Sequence, residues 1–333
     1  MSEYLVVKLG AAGDVLLTTA LTRALRQSPR ASCPTWVAWL TYEAMLPLLE
    51  SNPDIDEQLA LKPAAGAREM ADCLRRWRHA HPKGTILLLH RSRRMQALAW
   101  LTGFRRVLRC DPTERPSVNG HRLHRQAVLL AKLGVANVEV SQLRPRLELT
   151  PQERAEGEAV WFPSRGERWA IAPGGAANNW ATMPQRRWAR ERFVELGARA
   201  LGADIAVRWL GGSEDRALTN WICSQLGTPR DNYAGRLSLR QSAAVAGAAD
   251  RVIGNDSLPL VMAHALGSRS FGLYGPTAGE LIHAPGEDYL QGRVGCGPCY
   301  QPQSGTRGRA YRCPRARCME SISVNAVWEA NHV

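Results

Sequence analysis

Short apolar runs of strand length alternate with helix-periodic segments along nearly the whole chain, and this alternation restricts the possible folds more than any other feature. Apolar runs at 4–9, 35–40, 58–61 and 85–89 are separated by helical patterns over about 14–27, 41–51, 67–80 and 92–102. Residues 107–108 add a short strand and 121–133 a further helix. Strands and helices that alternate in this way build parallel βαβ units.

A proline-bounded extended stretch at 144–151 then reads as a linker into a short helix at 151–160. A second series follows, with strands expected at 169–172, 205–210, 251–253 and 270–274 and helices at 191–201, 215–226, 239–248 and 258–266. The expected fold is therefore α/β, with two Rossmann-like domains at 1–150 and 151–333. A chain of 333 residues, 45% hydrophobic, suffices for two cores. The end of the chain changes character: 294–320 is rich in Cys, Arg, Gly and Pro, before a short helix at about 319–330.

No apolar run reaches the ~20 residues of a spanning helix, and the N-terminus lacks the basic-apolar-small order of a signal peptide. The expected location is the cytoplasm. The net charge of +13 favours anionic partners. Only Lys8, Lys62, Lys83 and Lys132 are lysines, so nearly all the positive charge is on arginines, whose forks bind phosphate and carboxylate bidentately. Nucleic acid is not the expected partner, because no recognition-helix, RRM or zinc-finger pattern accompanies the charge.

In an open parallel sheet, ligands bind beyond the carboxyl ends of the strands. The first such end carries Gly10, Gly13 and Asp14, with Lys8 just before them. Asp14 there is a potential base or ligand-binding group, and Lys8 either reaches the same place or snorkels to solvent. The glycine spacing fits neither G-x-G-x-x-G nor a P-loop. In the second half, the turn at Gly174 and Gly175 offers backbone N–H groups as an anion nest. Glu214 and Asp215 open a helix, either as its cap or as acceptors for a ribose or base. Asn255, Asp256 and Ser257 precede a helix whose first-turn N–H groups, around Ser257 and Leu258, suit a phosphate. Gly275-Pro-Thr277 marks one more strand-to-turn junction beside them.

Four blocks, in order, carry a resemblance. They are Val7-Lys-Leu-Gly-Ala-Ala-Gly-Asp14-Val-Leu-Leu-Thr-Thr19, then Pro173-Gly-Gly with Arg186-Arg-Trp188 and Arg192-Phe193, then Gly254-Asn-Asp-Ser257, and finally Gly275-Pro-Thr277. Together they resemble glycosyltransferase family nine, the ADP-heptose heptosyltransferases. The resemblance implies a GT-B fold of two facing Rossmann-like domains, with the acceptor on the first and the nucleotide sugar on the second. It implies inverting heptose transfer from ADP-heptose without a catalytic metal, with Asp14 as general base. An inverting transfer also needs positive charge or N–H dipoles on the leaving diphosphate. Arg186, Arg187, the Gly174–Gly175 turn and the amides at Ser257 and Leu258 are the candidates. Two positions depart from the family pattern. Arg186 stands where a lysine is common, and Leu258-Pro-Leu-Val261 replaces a Gly-Pro-x-His type of sequence, with His264 one turn later as a helix-packing residue.

The tail presents Cys296-Gly-Pro-Cys299 and Cys313-Pro-Arg-Ala-Arg-Cys318, separated by a loop containing 304–308. Two close cysteine pairs suit one tetrahedral four-thiolate site for zinc or iron, with a structural role because no coordination position stays open. The tail is similar to that of the autotransporter heptosyltransferases, in which four cysteines hold an iron. Cys33, Cys73, Cys110 and Cys223 show no such pairing. On the acceptor side, the run from His90 through Arg91 to Arg94 follows a strand end and suits an anionic glycan such as the inner core of lipopolysaccharide. His121, Arg122, His124 and Arg125 extend that patch or form a solvated face. Peripheral contact with the inner membrane would follow from such an acceptor. The alternatives are a protein or small-molecule acceptor and, outside enzymes, a metal-stabilised anion- or RNA-binding module.

Overall fold

The computed structural model describes residues 2–28, 35–89, 93–109, 121–135, 138–164, 166–175, 177–178, 181–300 and 313–332. The chain divides between Glu148 and Leu149 into two compact units, within the extended segment that precedes the short helix at Pro151.

The first unit runs β1 (Ser2–Val7), α1 (Ala12–Gln27), β2 (Thr35–Tyr42), β3 (Glu57–Leu61), α2 (Ala67–Ala80), β4 (Thr85–Leu88), α3 (Arg93–Leu101), β5 (Arg106–Arg109) and α4 (His124–Lys132). Its sheet has the order β3-β2-β1-β4-β5, with every pairing parallel. Leu5 and Val7 of β1, Leu40 of β2 and Ile86 and Leu88 of β4 share a core with Met70, Leu74 and Trp77 of α2. That helix buries positions 70, 73, 74 and 77, the i, i+3, i+4, i+7 stripe of an amphipathic helix. The helix expected at 41–51 does not form. β2 runs on to Tyr42, and Glu43–Leu48 is a 3-10 segment with Pro47 inside it. Proline lacks the N–H for a regular turn and disfavours α geometry in the residue before it, so only a tight turn forms.

The second unit runs α5 (Pro151–Ala159), β6 (Arg168–Ala172), β7 (Ala177–Asn178), β8 (Ala181–Thr182), α6 (Arg190–Gly202), β9 (Ala206–Trp209), α7 (Arg216–Leu226), α8 (Leu239–Gly247), β10 (Arg251–Asn255), α9 (Leu258–Leu266), β11 (Arg269–Tyr274), α10 (Gly279–Ile282), β12 (Asp288–Gln291), α11 (Arg317–Glu320) and α12 (Val324–Asn331). The main sheet has the order β12-β11-β10-β6-β9 and is parallel throughout. β7 and β8 form a small antiparallel hairpin after β6. That hairpin and β12 have no counterpart in the sequence reading. β12 is a half-exposed edge strand, so its Asp288 and Gln291 hide the apolar run that marks the interior strands.

The end of the chain belongs to the core of this unit. Met319, Ile322, Val324 and Val327 pack with Trp169, Trp188 and Phe193, and Trp188 Nε1 donates to the Ile322 carbonyl at 2.9 Å. Two short helices replace the single one expected at 319–330, because Ser323 caps α12 and interrupts the first helix. No helix among the described residues is long and apolar enough to cross a membrane.

α5 is fastened to α8 by both packing and charge. A Cβ on Gly157 would lie 2.5 Å from the Ala244 carbonyl oxygen, so glycine is what allows this approach. Four residues earlier, Glu153 closes a capping box with Thr150 and receives the Arg240 guanidinium through Nε and Nη2. The Arg240 hydrogen bond is the largest influence on Glu153 and holds its pKa at about 2, below the ordinary 4.5. A depressed carboxylate pKa stabilises the fold above the unfolded value, and that stabilisation is lost as pH falls through the folded one. Glu153→Gln is therefore expected to cost about 1–3 kcal/mol at neutral pH. The gap to the wild type should close as pH falls from 4.5 towards 2, which denaturant unfolding at several pH values would read. A gap that persists at the acid end would show that the charge pair is not its source.

Candidate functional site

Each sheet reverses its winding once, and open parallel sheets bind ligands at that reversal. In the first unit the reversal lies between β1 and β4; in the second it lies between β6 and β10. The candidate residues gather at the carboxyl ends of these strands.

In the first unit, β1 ends at Val7 and Lys8 turns its side chain towards α1, where Nζ meets Asp14 Oδ2 at 2.8 Å. The intervening turn passes through Ala11 at φ 60, a left-handed conformation uncommon for a residue with a Cβ. Gly13 and Asp14 then occupy the first turn of α1, whose N-terminal dipole favours a carboxylate. The Asp14 side chain does not cap the helix, which excludes that plain role. Lys8 is 13% exposed and Asp14 48%, so the ammonium is enclosed while the carboxylate reaches solvent. Protein crowding works to raise the Asp14 pKa and is the largest single influence on it. The Lys8 charge and hydrogen bond, with the fields of Arg122 and Arg125, outweigh that influence and leave the pKa below 3.8. The result is an ionised carboxylate, open on one side, beside three cationic groups. The snorkelling alternative for Lys8 is overturned by its ion pair.

In the second unit, three loops are tied by one buried side chain, Asn255, at the end of β10. Its Nδ2 donates to the carbonyls of Pro173 at 2.8 Å and Gly174 at 3.0 Å, while its Oδ1 accepts from Trp188 N–H at 3.0 Å. The turn after β6 is thus fixed against β10 and against the segment carrying Arg186 and Arg187. Gly175 has φ +90, and a Cβ there would lie 2.7 Å from that of Ser257. Arg186 Nη2 reaches the Asp256 carbonyl at 2.7 Å and its Oδ2 at 2.5 Å, so the guanidinium braces this loop. Residues 176 and 179 of the expected anion nest lie outside the described residues.

Arg187 and Asp215 form a second ion pair at 3.0 Å, and Asp215 Oδ2 also accepts from Gly212 N–H at 3.2 Å. The Asp215 carboxyl fills the space a Cβ on Gly174 would need. Burial raises its pKa, against the charge of Arg187. It is therefore a buried strut, and of the two carboxylates at this helix start only Glu214 is exposed. His264 is buried and faces Glu287 at 3.4 Å, the packing role expected for it.

Several polar atoms around these loops are shielded from solvent without a hydrogen-bond partner: Ser257 Oγ, Thr277 Oγ1, and Nε of both Arg186 and Arg187. Ser257 stands at the N-cap position of α9 yet makes no capping bond. Buried polar atoms are seldom left unpaired, so these hydroxyls and guanidinium edges are what a polyanionic ligand would complete. Two residues emerge that the sequence pattern did not single out. Asn255 was legible only as part of a polar triplet, and Thr277 only as a turn residue.

Arg91 and His90 lie outside the described residues, as do Cys33, Cys110 and 304–308. Of the other basic residues expected on the acceptor side, Arg122 and Arg125 lie close enough to Asp14 for their charges to lower its pKa.

In the tail, Cys318 is buried, Cys299 and Cys313 half-buried and Cys296 exposed. Burial, with contributions from Cys299 and Cys313, raises the Cys318 pKa, which brings these three thiols into one neighbourhood. Among the described residues, no three His, Cys, Asp or Glu side chains converge as metal ligands. The donor chemistry suits a soft metal, while the described arrangement stops short of a closed site. The tail also adjoins the loops above: Cys299 N–H donates to the Pro276 carbonyl at 3.0 Å, and Gln185 Nε2 to the Cys313 carbonyl at 3.2 Å.

Solved structures with this architecture include the glycosyl transferase family 9 protein of Veillonella parvula DSM 2008, with TM-score 0.80 and 20% identity over 99% of this chain and 96% of that one. The E. coli ADP-heptose lps heptosyltransferase II matches at TM-score 0.73 and 18% identity, over 100% of both chains. The iron-containing dodecameric glycosyltransferase TibC of enterotoxigenic E. coli H10407 matches at 0.58 and 13%, over 98% of this chain and 74% of that one. These likenesses establish the GT-B fold. No curated protein matches the sequence. The model of glycosyltransferase family 9 (heptosyltransferase) matches residues 88–304, well over half of the chain. The chain is therefore a member of glycosyltransferase family 9, an enzyme of heptosyl transfer.

Proposed function

We propose that the enzyme transfers heptose from ADP-heptose, with inversion, to an anionic glycan, the core of lipopolysaccharide. The observation that carries this reading is the ionised, solvent-reachable Asp14 held by Lys8. Asp14 takes the proton of the acceptor hydroxyl as its oxygen attacks the anomeric carbon. Arg122 and Arg125 supply the positive field that favours an anionic acceptor beside it.

On the donor side, Asn255 occupies the carbonyls of Pro173 and Gly174, leaving the N–H groups of Gly174 and Gly175 for the leaving diphosphate. The first turn of α9 adds further N–H dipoles at Ser257 and Leu258, and the hydroxyls of Ser257 and Thr277 and the edges of Arg186 and Arg187 add more donors. Glu214, exposed at its helix start, is assigned to the ribose or base. The ADP-heptose donor is supported by the similarity to heptosyltransferase II, which is named for it. Nucleotide sugars and core assembly would place the enzyme in the cytoplasm, against the inner membrane.

Asp14→Asn is expected to lower transfer by roughly 10²–10⁴-fold while leaving ADP affinity unchanged. Lys8→Met should move the acid limb of kcat/KM to higher pH, since crowding then raises the Asp14 pKa without the opposing ammonium. An active Asp14→Asn enzyme would remove Asp14 as the base. A transfer assay with ADP-heptose against glycan, protein and small-molecule acceptors tests the remainder, and preference for a neutral acceptor would overturn the glycan-core assignment.

Asn255→Ala removes three buried hydrogen bonds and should weaken ADP binding by about tenfold or more, through the loops it holds, although Asn255 itself touches no ligand. Calorimetry with ADP would measure this, and unchanged affinity in a folded variant would show that the loops keep their shape unaided.

We also propose that Cys296, Cys299, Cys313 and Cys318 hold a structural zinc or iron. The closeness of Cys299 and Cys313 to Cys318, whose pKa both raise, supports it, and the bound ion would brace the segments beside Thr277 and Gln185. Elemental analysis is expected to find about one metal per chain, lost in Cys318→Ser. Metal-free protein of full thermal stability would overturn it.

A further inference from the structure

The first unit exposes two large apolar side chains side by side, Trp100 at 53% and Leu101 at 78%, at the end of α3. Their exposure is built into the fold. Thr102 Oγ1 donates back to the Leu98 carbonyl at 2.8 Å, and Phe104 N–H to the Ala99 carbonyl at 3.2 Å. Phe104 itself is buried against Trp77. The chain is thus anchored on both sides of the pair, and α3 ends with them facing outward.

Positive charge surrounds this pair. From Cys73 to Cys110 the sequence contains no aspartate or glutamate and ten lysines and arginines. Arg94, Ala97 and Leu101 are exposed along one face of α3 at i, i+3 and i+7, and Arg105 and Arg106 are exposed just beyond it. α2 adds Arg78, whose guanidinium lies against Gly103. None of Arg78, Arg94, Arg105 and Arg106 pairs with a carboxylate among the described residues. α3 leaves β4 at the sheet edge that also carries Asp14, because β1 and β4 are parallel.

We infer that the outward face of α3 docks on an anionic lipid bilayer. Tryptophan and leucine insert at the headgroup boundary, and guanidiniums on both sides meet lipid phosphates. A protein interface would need a broader apolar centre than two side chains ringed by unpaired arginines. Trp100 and Leu101 end α3 beside the start of β5, at the sheet edge opposite Asp14, so docking there does not depend on the acceptor proposed above.

The test is co-sedimentation of the full chain with vesicles of phosphatidylglycerol and phosphatidylethanolamine, and with vesicles of phosphatidylcholine alone. The wild type is expected to bind the anionic vesicles and to be released by raised salt. Trp100→Ser with Leu101→Ser, and separately Arg105→Glu with Arg106→Glu, should each weaken binding by roughly tenfold or more. Both double variants should keep the wild-type thermal shift with ADP, which shows that they are folded. Equal binding to phosphatidylcholine, no binding at all, or wild-type binding by the serine variant would overturn the inference. So would a wild-type dimer that the serine variant disperses, since the patch would then join two copies of the chain. Vesicle binding is read without turnover, so its failure leaves the transferase assignment intact, and a failed transfer assay leaves the docking surface intact.

Discussion

The second unit depends on one buried amide. Asn255 ends the central strand β10, where the sheet reverses, and its side chain makes three hydrogen bonds to two other segments. Each polar atom it satisfies would otherwise be orphaned, a cost of about 1–3 kcal/mol apiece. No apolar residue at this position could hold the turn after β6 and the Arg186–Trp188 segment in register. The partnerless atoms of Ser257, Arg186 and Arg187 stand on segments that this network, directly or through Arg186, positions, while Thr277 stands on a turn held from the Cys299 side. Order in the scaffold and vacant hydrogen-bonding capacity in the site are therefore linked. Asn255 is fully buried with both amide hydrogens engaged, while the groups around it keep donors and hydroxyls free for a ligand.

The first unit solves a different problem with a charge. A carboxylate that is to remove a proton must be ionised, yet a crowded position resists ionisation. Lys8 resolves this from the preceding strand end, where it is itself enclosed and close enough to donate a hydrogen bond. The strained Ala11 turn brings strand end and helix start within that distance. Arginines from α4 and the residues before it add to the same field from the other side. The winding reversal of the first sheet thus carries an ionised carboxylate with cationic neighbours, and that of the second carries buried hydrogen-bond donors without partners.

The tail adds to the second of these. Met319, Ile322 and Val327 are core residues, and the cysteines lie among segments that support Thr277 and Arg186. The end of the chain is therefore part of the second unit's core. Trp188 contributes to both, with its backbone N–H on Asn255 and its indole on Ile322.

Much of this was legible in the residues, because strand and helix periods are local properties. The βαβ alternation, α2 at 67–80, α9 at 258–266 and the position of Asp14 after β1 all follow from patterns a few residues long. Local signals misled where a single residue or an edge intervened. Pro47 turned an apolar helix pattern into a 3-10 turn, Ser323 divided the last helix, and polar residues concealed β12. The carboxylate pair at 214 and 215 looked alike in sequence, yet one is a buried strut under Gly174 and the other is exposed, since only packing decides which side of a turn is covered. Residue order alone specifies the parallel α/β class and which strand ends carry polar groups. Only the tertiary structure decided that Lys8 ionises Asp14, that Asn255 ties three loops and that Trp100 is left outside. The Lys8–Asp14 pair closes across an irregular turn, the partners of Asn255 lie far along the chain, and Trp100 lacks a neighbour, and local periodicity carries none of these.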